Sequence, residues 1–261
     1  MTKETHMRLS GKFAIVTGGS DGIGLRIAEA FARNGADLCI VARDAKKLAA
    51  AKAKLEAAGA KVTVIVADLT APDAVETVSS QIEALKRPID ILVNNAGTST
   101  FVPYLEATRT QYDYSVNLNV TVPFFLTQKL APSMPKGASI INISSYFVHK
   151  MLPGRPSSIY SLTKGALSSL TKAQAFELAA KGIRVNAIAP GTVDTDLRRR
   201  TIAAMPEAAQ QAMGELVKRI YPLGRIGKID DMGGIAVFLA SDESEWTTGA
   251  IFAIDGGLTI T

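Results

Sequence analysis

The chain of 261 residues predicts one α/β domain built on a doubly wound, mostly parallel seven-stranded sheet with helices on both faces. Short continuous apolar runs alternate with longer amphipathic stretches from one end to the other, as a sheet covered on both faces requires. No Pro/Gly/Ser linker, repeat or low-complexity block interrupts the alternation, and 47% hydrophobic against 20% charged residues is enough for one large core. Residues 1–10, "MTKETHMRLS", read as a flexible tail, which leaves 11–261 as a single domain.

The first strand is "FAIVT", followed by a helix from about Gly22. Then come "DLCIVA" with a helix from Asp44, "KVTVIVA" with a helix from Ala71, and "IDILVNN". A long helix spans about 108–133, "ASIINIS" is the fifth strand, and a helix covers about Ser157 to Ala180. "IRVNAIA", helical segments over 195–240 and "AIFAID" complete the sheet.

Composition excludes several function classes. A net charge of +5 and a pI near 9.3 permit nucleic-acid binding, but the basic residues are scattered and no aromatic series lies among them. No run of eighteen apolar residues occurs, and the first twelve residues lack an apolar core, so neither a membrane span nor export is expected and a cytoplasmic location follows. Cys39 lies inside an apolar run and reads as a core thiol. No cluster with metal-ligand spacing is visible.

Ligands of such a sheet sit at the carboxyl ends of its strands. After the first strand comes "GGSDGIG", where Gly18, Gly22 and Gly24 let the backbone approach a pyrophosphate and the next helix offers its N-terminal N–H groups. The same letters spell G-x-S-x-G around Ser20, a nucleophile-elbow pattern whose only plausible base is His149. That hydrolase reading leaves Gly24 unexplained and finds no second glycine-rich loop for an oxyanion hole. Two Tyr-x-x-x-Lys pairs occur, Tyr146 with Lys150 and Tyr160 with Lys164. Only the second falls on an expected helix, where i and i+4 share a face.

From Leu9 to Gly257 the chain resembles the short-chain dehydrogenase/reductase family in its single-domain branch. The resemblance rests on an ordered set: "TGGSDGIG" at 17–24, "ADLT" at 67–70, "NNAG" at 94–97, "VNL" at 116–118, "NISS" at 142–145, "YSLTK" at 160–164, "PGTVDT" at 190–195 and "DGG" at 255–257. It implies a Rossmann-type fold and a catalytic tetrad of Asn117, Ser145, Tyr160 and Lys164. Tyr160 would exchange a proton with the substrate oxygen, Ser145 would bond that oxygen, and Lys164 would lower the phenol pKa and bind the nicotinamide ribose. Asn117 would hold a water linking Lys164 to solvent. The Ser145 to Tyr160 spacing is longer than the family's usual one, with Ser144 as a competing choice.

The resemblance also implies a cofactor site. Gly18, Ser20, Gly22, Ile23 and Gly24 would cradle the pyrophosphate, Asp68 and Leu69 would flank the adenine, and Asn95, Ala96 and Gly97 would line the cofactor. Pro190, Gly191, Val193 and Thr195 would meet the nicotinamide. The second strand ends in Ala42 and Arg43 where an acid would bind the ribose hydroxyls of NAD, with Asp44 left to cap the next helix, so NADP(H) is expected. The expected activity is NADP(H)-dependent reduction of a small carbonyl compound, or oxidation of the secondary alcohol. A 3-oxoacyl-[acyl-carrier-protein] reductase is the alternative, and a non-catalytic dinucleotide-binding scaffold is a more distant one. A homotetramer is expected from the family. Residues 194–216 would form a flap over the site, interrupted at Pro206, and Arg198, Arg199 and Arg200 read either as a solvated face or as anchors for an acidic substrate.

Overall fold

The computed structural model describes residues 7–203 and 205–261, with Leu197, Arg200 and Thr201 described at the backbone alone. Seven strands form one sheet in the order β3-β2-β1-β4-β5-β6-β7, every neighbouring pair parallel. They are β1 Phe13–Thr17, β2 Asp37–Ala42, β3 Val62–Val66, β4 Ile91–Asn94, β5 Ser139–Ile143, β6 Arg184–Pro190 and β7 Ile251–Ile254. β1, β5 and β6 are buried along their whole length, as a sheet covered on both faces demands.

Helices α1 (Gly22–Arg33), α2 (Ala45–Ala57) and α9 (Gly233–Ala240) cover one face. There Ile27, Phe31, Leu48, Leu55 and Leu239 pack against Ala14, Val16, Leu38 and Ile40. On the other face α3 (Ala74–Glu83), α5 (Val122–Leu130) and α6 (Ser158–Leu178) bring Val78, Ile82, Leu126 and Leu130 onto Ile15, Val41 and Leu92. The remaining helices are α4 (Arg109–Val116), α7 (Asp196–Ala203) and α8 (Glu207–Ile220).

Element boundaries follow local chemistry. Asp44 caps α2, its side chain accepting from the Lys47 N–H at 3.0 Å. Thr108 and Gln111 close a reciprocal capping box at the start of α4. The third helix starts at Ala74 rather than Ala71, because Asp68 first accepts from the Thr70 N–H and hydroxyl in a tight turn and Pro72 follows. The long helix expected over 108–133 is α4 and α5 joined through a π turn at Asn117–Thr121 and followed by a 3₁₀ turn at Ala131–Ser133. Pro206 does separate two helices, standing at the N-cap of α8.

The tail boundary needs correction. Leu9 is fully buried and its N–H bonds the Asn34 carbonyl at 2.9 Å, so residues 7–10 belong to the domain; residues 1–6 lie outside the described part. Among the described residues no helix is long and apolar enough to cross a membrane, and no group of three His, Cys, Asp or Glu is placed to hold a metal. Trp246, in the loop before β7, is fully exposed.

Candidate active site

The strand order reverses between β1 and β4, and a crevice opens at that point above their carboxyl ends. Thr17 ends β1, and its hydroxyl accepts from the N–H groups of Asn95 and Ala96 just beyond β4, at 3.0 and 3.1 Å. The Asn95 side-chain amide donates to the carbonyls of Thr17 and Gly18. A Cβ on Gly24 would stand 2.3 Å from this amide nitrogen, so only glycine lets α1 approach so closely. Gly22 has φ +56° and open space around it, which is what a backbone presented to a ligand requires.

A cavity of about 1050 Å³ runs from this loop past the end of β5 to helices α7 and α8. Gly18, Ile23, Asn95, Ala96 and Gly97 line one end, with Ser145, Tyr160 and Lys164 at its centre. Pro190, Gly191, Val193 and Thr195 also line it. Its size is at the upper end for a ligand site, room for a dinucleotide and a small substrate together. Ser20 and Gly22 stay on the turn outside this lining. Arg43 and Asp68 lie exposed beyond it at the ends of β2 and β3, while the Leu69 side chain is buried in the core. Asp68 is held below the usual carboxylate range, first by the Thr70 N–H and hydroxyl and in smaller part by the charge of Arg43.

β5 delivers the two adjacent serines to opposite sides. The Ser144 hydroxyl turns into the packing with α6, 2.6 Å from the Ser168 hydroxyl, whereas Ser145 lines the cavity together with Tyr160. Ser145 also accepts from the Phe147 N–H at 3.3 Å, opening a single 3₁₀ turn at Tyr146–Val148. Tyr146 therefore lies on no α-helix, and Lys150 reaches away to the Leu258 carbonyl and to Thr261. Tyr160 and Lys164 sit in the first two turns of α6, the lysine Nζ 6.0 Å from the phenol ring centroid.

Lys164 is buried and Tyr160 half-buried, and desolvation dominates the acidity of each. The Lys164 ammonium, whose hydrogen bond among the described residues is to the Ile143 carbonyl at 2.7 Å, is pushed down to about 8 by desolvation. Burial pushes the Tyr160 phenol up, with the Ser145 hydrogen bond opposing it. The protein alone thus does not lower the phenol pKa as the residue types lead one to expect, because desolvation of the phenol is the larger effect and the lysine Nζ stands 6.0 Å from the ring centroid.

The asparagine is where sequence and structure part. The Asn117 side chain points toward the end of β3 and donates to the Thr70 carbonyl at 3.2 Å. Asn119 is the buried one: its Oδ1 accepts from the Thr98 N–H at 2.8 Å, and its amide donates to the Thr98 carbonyl and the Thr163 hydroxyl, both at 2.9 Å. It lies across Gly97 from Lys164, since a Cβ on Gly97 would stand 2.9 Å from Asn119 Oδ1 and 3.4 Å from Lys164 Nζ. The signal was present in the sequence. Ser115, Asn119, Val122, Leu126 and Leu130 recur at helical spacing and are all buried, and Asn117 is off that stripe.

The substrate end is mostly apolar. Phe101, Phe147 and Tyr160 meet with ring centroids 5.4 to 5.6 Å apart, and Leu152, Met213 and Val217 continue the wall. Of the arginine triplet, Arg199 is held at the surface by Asp194 and Asp196, Arg198 lines the cavity with Asp194 3.8 Å away, and the Arg200 side chain lies outside the described part. Arg155 was missed by sequence reasoning and also lines the cavity. His149 is exposed and outside the cavity lining, and among the described residues no hydrogen bond joins it to Ser20, so the hydrolase pairing does not form.

A family model described as enoyl-(acyl carrier protein) reductase matches residues 18–259. Gluconate 5-dehydrogenase of Gluconobacter oxydans is 38% identical over 97% of this chain and 96% of its own. The 3-oxoacyl-[acyl-carrier-protein] reductase of Thermotoga maritima is 36% identical over 97% of this chain and 100% of its own. L-Sorbose reductase of Gluconobacter frateurii, solved with NADPH and L-sorbose, superposes with a TM-score of 0.92 at 31% identity, covering 98% of this chain and all of that one.

Proposed function

Because the chain belongs to the short-chain dehydrogenase/reductase family, a family of oxidoreductases acting on CH–OH groups, we propose that it is an NADP(H)-dependent reductase of small carbonyl compounds, reversible on the secondary alcohol. The observation that carries this reading is the convergence of Ser145, Tyr160 and Lys164 on one cavity that is also lined by Gly97 and by Gly18 of the glycine loop. A nicotinamide bound there supplies the hydride, or accepts it.

Tyr160 is the proton donor to the substrate oxygen, and Ser145 gives that oxygen a second hydrogen bond where charge develops. Lys164, with a pKa near 8, exchanges protons at neutral pH and contributes positive charge beside the phenol. We assign to Asn119, rather than Asn117, the place of the fourth catalytic residue. Its side chain fixes Thr98 and Thr163 and so the π turn that faces Lys164. The helices α7 and α8 form the flap, closing the apolar wall over the substrate and excluding water.

The NADP(H) preference is supported by Arg43 at the exposed end of β2, with no acid at the preceding position and Asp44 already used as a cap. Arg43→Ala should raise the KM for NADPH far more than that for NADH, and equal effects would reject the assignment. Tyr160→Phe should lower turnover by about 10³-fold while leaving cofactor binding intact. Unchanged turnover in a panel of ketones followed at the NADPH absorbance would remove Tyr160 from the mechanism. A second reading, reduction of a 3-oxoacyl-carrier-protein, is favoured by the family model and the Thermotoga relative, and a carrier-linked substrate assayed beside free ketones separates the two. The homotetramer is supported by exposed apolar side chains on the surfaces of α4, α5 and α6, among them Tyr114, Phe124, Phe125 and Phe176.

A further inference from the structure

The described residues lining the cavity include four cations, Arg155, Lys164, Arg198 and Arg219, and no Asp or Glu. A charge imbalance of that size inside a largely apolar wall calls for an anion from the ligand side. The four are not equivalent. Lys164 is committed to the Ile143 carbonyl, Arg198 has Asp194 beside it, and Arg219 is exposed at the rim.

Arg155 differs from all three. It stands half-buried on the segment between β5 and α6, and among the described residues its guanidinium has as hydrogen-bond partners two neutral hydroxyls at the long end of the range, Tyr146 at 3.4 Å and Thr192 at 3.5 Å. Among the described residues it has no carboxylate partner. Its guanidinium carbon lies 5.6 Å from the centroid of the Phe101 ring, and the same ring lies 5.4 Å from that of Tyr160. A fork of donors with only weak neutral acceptors therefore stands one aromatic side chain away from the proton donor. The apolar body between them is what the methylenes of a short chain would touch.

We propose that Arg155 is the carboxylate anchor of the substrate site and that the substrates are oxo acids, or the matching hydroxy acids, whose carboxylate is separated from the reacting carbon by several methylenes. The proposal rests on the carbonyl-reductase reading above and names its substrate class. The carboxylate takes two parallel N–H bonds from the guanidinium, replacing the long contacts to Tyr146 and Thr192, while the carbonyl oxygen lies between Ser145 and Tyr160.

The test uses the oxo acids from 4-oxopentanoate to 7-oxooctanoate, each beside its methyl ester, with the parent protein, Arg155→Leu and Arg155→Lys. KM is read at the NADPH absorbance, and dissociation constants are measured by calorimetry on the protein saturated with NADP. At least one acid should bind the parent more tightly than its ester. In Arg155→Leu that acid should weaken on the order of 10–100-fold while the ester hardly changes, with Arg155→Lys in between because it keeps the charge and loses the fork. No preference for any acid over its ester in the parent, or a preference that survives in Arg155→Leu, overturns the proposal. Turnover of the esters by all three proteins shows that the reductase reading stands whichever way the acids behave. Absence of NADPH-dependent turnover on every compound sinks that reading instead, and the calorimetric comparison still decides whether Arg155 binds the carboxylate.

Discussion

Lys164 pays for its position with stability. The unfolded chain would hold its proton up to about 10.5, whereas burial brings the folded value to about 8. Below pH 8 the full cost of the buried charge is present; between 8 and 10.5 the unfolded state binds more protons than the folded state, so stability from this group rises with pH across that window. Lys164→Met removes the charge but also the hydrogen bond to the Ile143 carbonyl, for a net gain of about 2 kcal/mol at pH 7. Thermal midpoints at equal protomer concentration should show the variant inactive yet more stable than the parent at pH 7, with the gap closing toward pH 10. A variant less stable at pH 7 would mean that the hydrogen bond outweighs the charge. That Ser145, Tyr160 and Lys164 share one cavity was legible because each stands in a motif at a strand end or on a helix face. Arg155 was not, since a single arginine between prolines carries no periodicity and its role depends on which carboxylates are absent around it.

At the scale of elements, the π turn at Asn117–Thr121 carries both asparagines that compete for the proposed fourth catalytic place. A π turn widens the helix locally and breaks the regular ladder, a device frequent at functional sites. Here the two asparagines diverge, Asn117 tying the helix to the turn after β3 and Asn119 tying it to the segment after β4. Asn119→Ala would leave the Thr98 N–H and carbonyl without their partners and shift the floor beneath Lys164. Turnover should fall on the order of 100-fold, the cost of a small misplacement of reacting groups, with a lower thermal midpoint. Asn117→Ala, which loses one contact at 3.2 Å, should stay within a few-fold of the parent. Measuring both side by side checks the assignment, and the reverse ranking would restore Asn117. The motif "VNL" pointed to Asn117 because it was read as letters, whereas the buried stripe from Ser115 to Leu130, read as a face, carries Asn119. The parallel seven-stranded sheet and its strand ends were legible for the opposite reason: each apolar run is bounded by turn residues, and a parallel sheet needs a crossover connection between successive strands. The Leu9 contact escaped because one apolar residue in a polar stretch forms no pattern.

For the whole molecule, the exposed aromatics of α4, α5 and α6 support the proposed tetramer, for which light scattering at micromolar concentration should return four times the 27.6 kDa protomer mass. A monomer would contradict it. Phe176→Glu, placing a charge on the outer face of α6 where the native ring is 85% exposed, should shift the mass downward without unfolding the protomer, as circular dichroism would verify. The fully exposed Trp246 gives this question its own optical channel. It is the only indole in the chain, and it sits outside the cavity lining, so nothing that enters the cavity touches it. Reduced nicotinamide can reach it only through space, by energy transfer, which dims its emission and leaves the colour unchanged. A neighbouring protomer laid over the loop would strip water from the ring and move the emission to the blue. Intensity and wavelength in one spectrum thus report separately on filling of the cavity and covering of the surface.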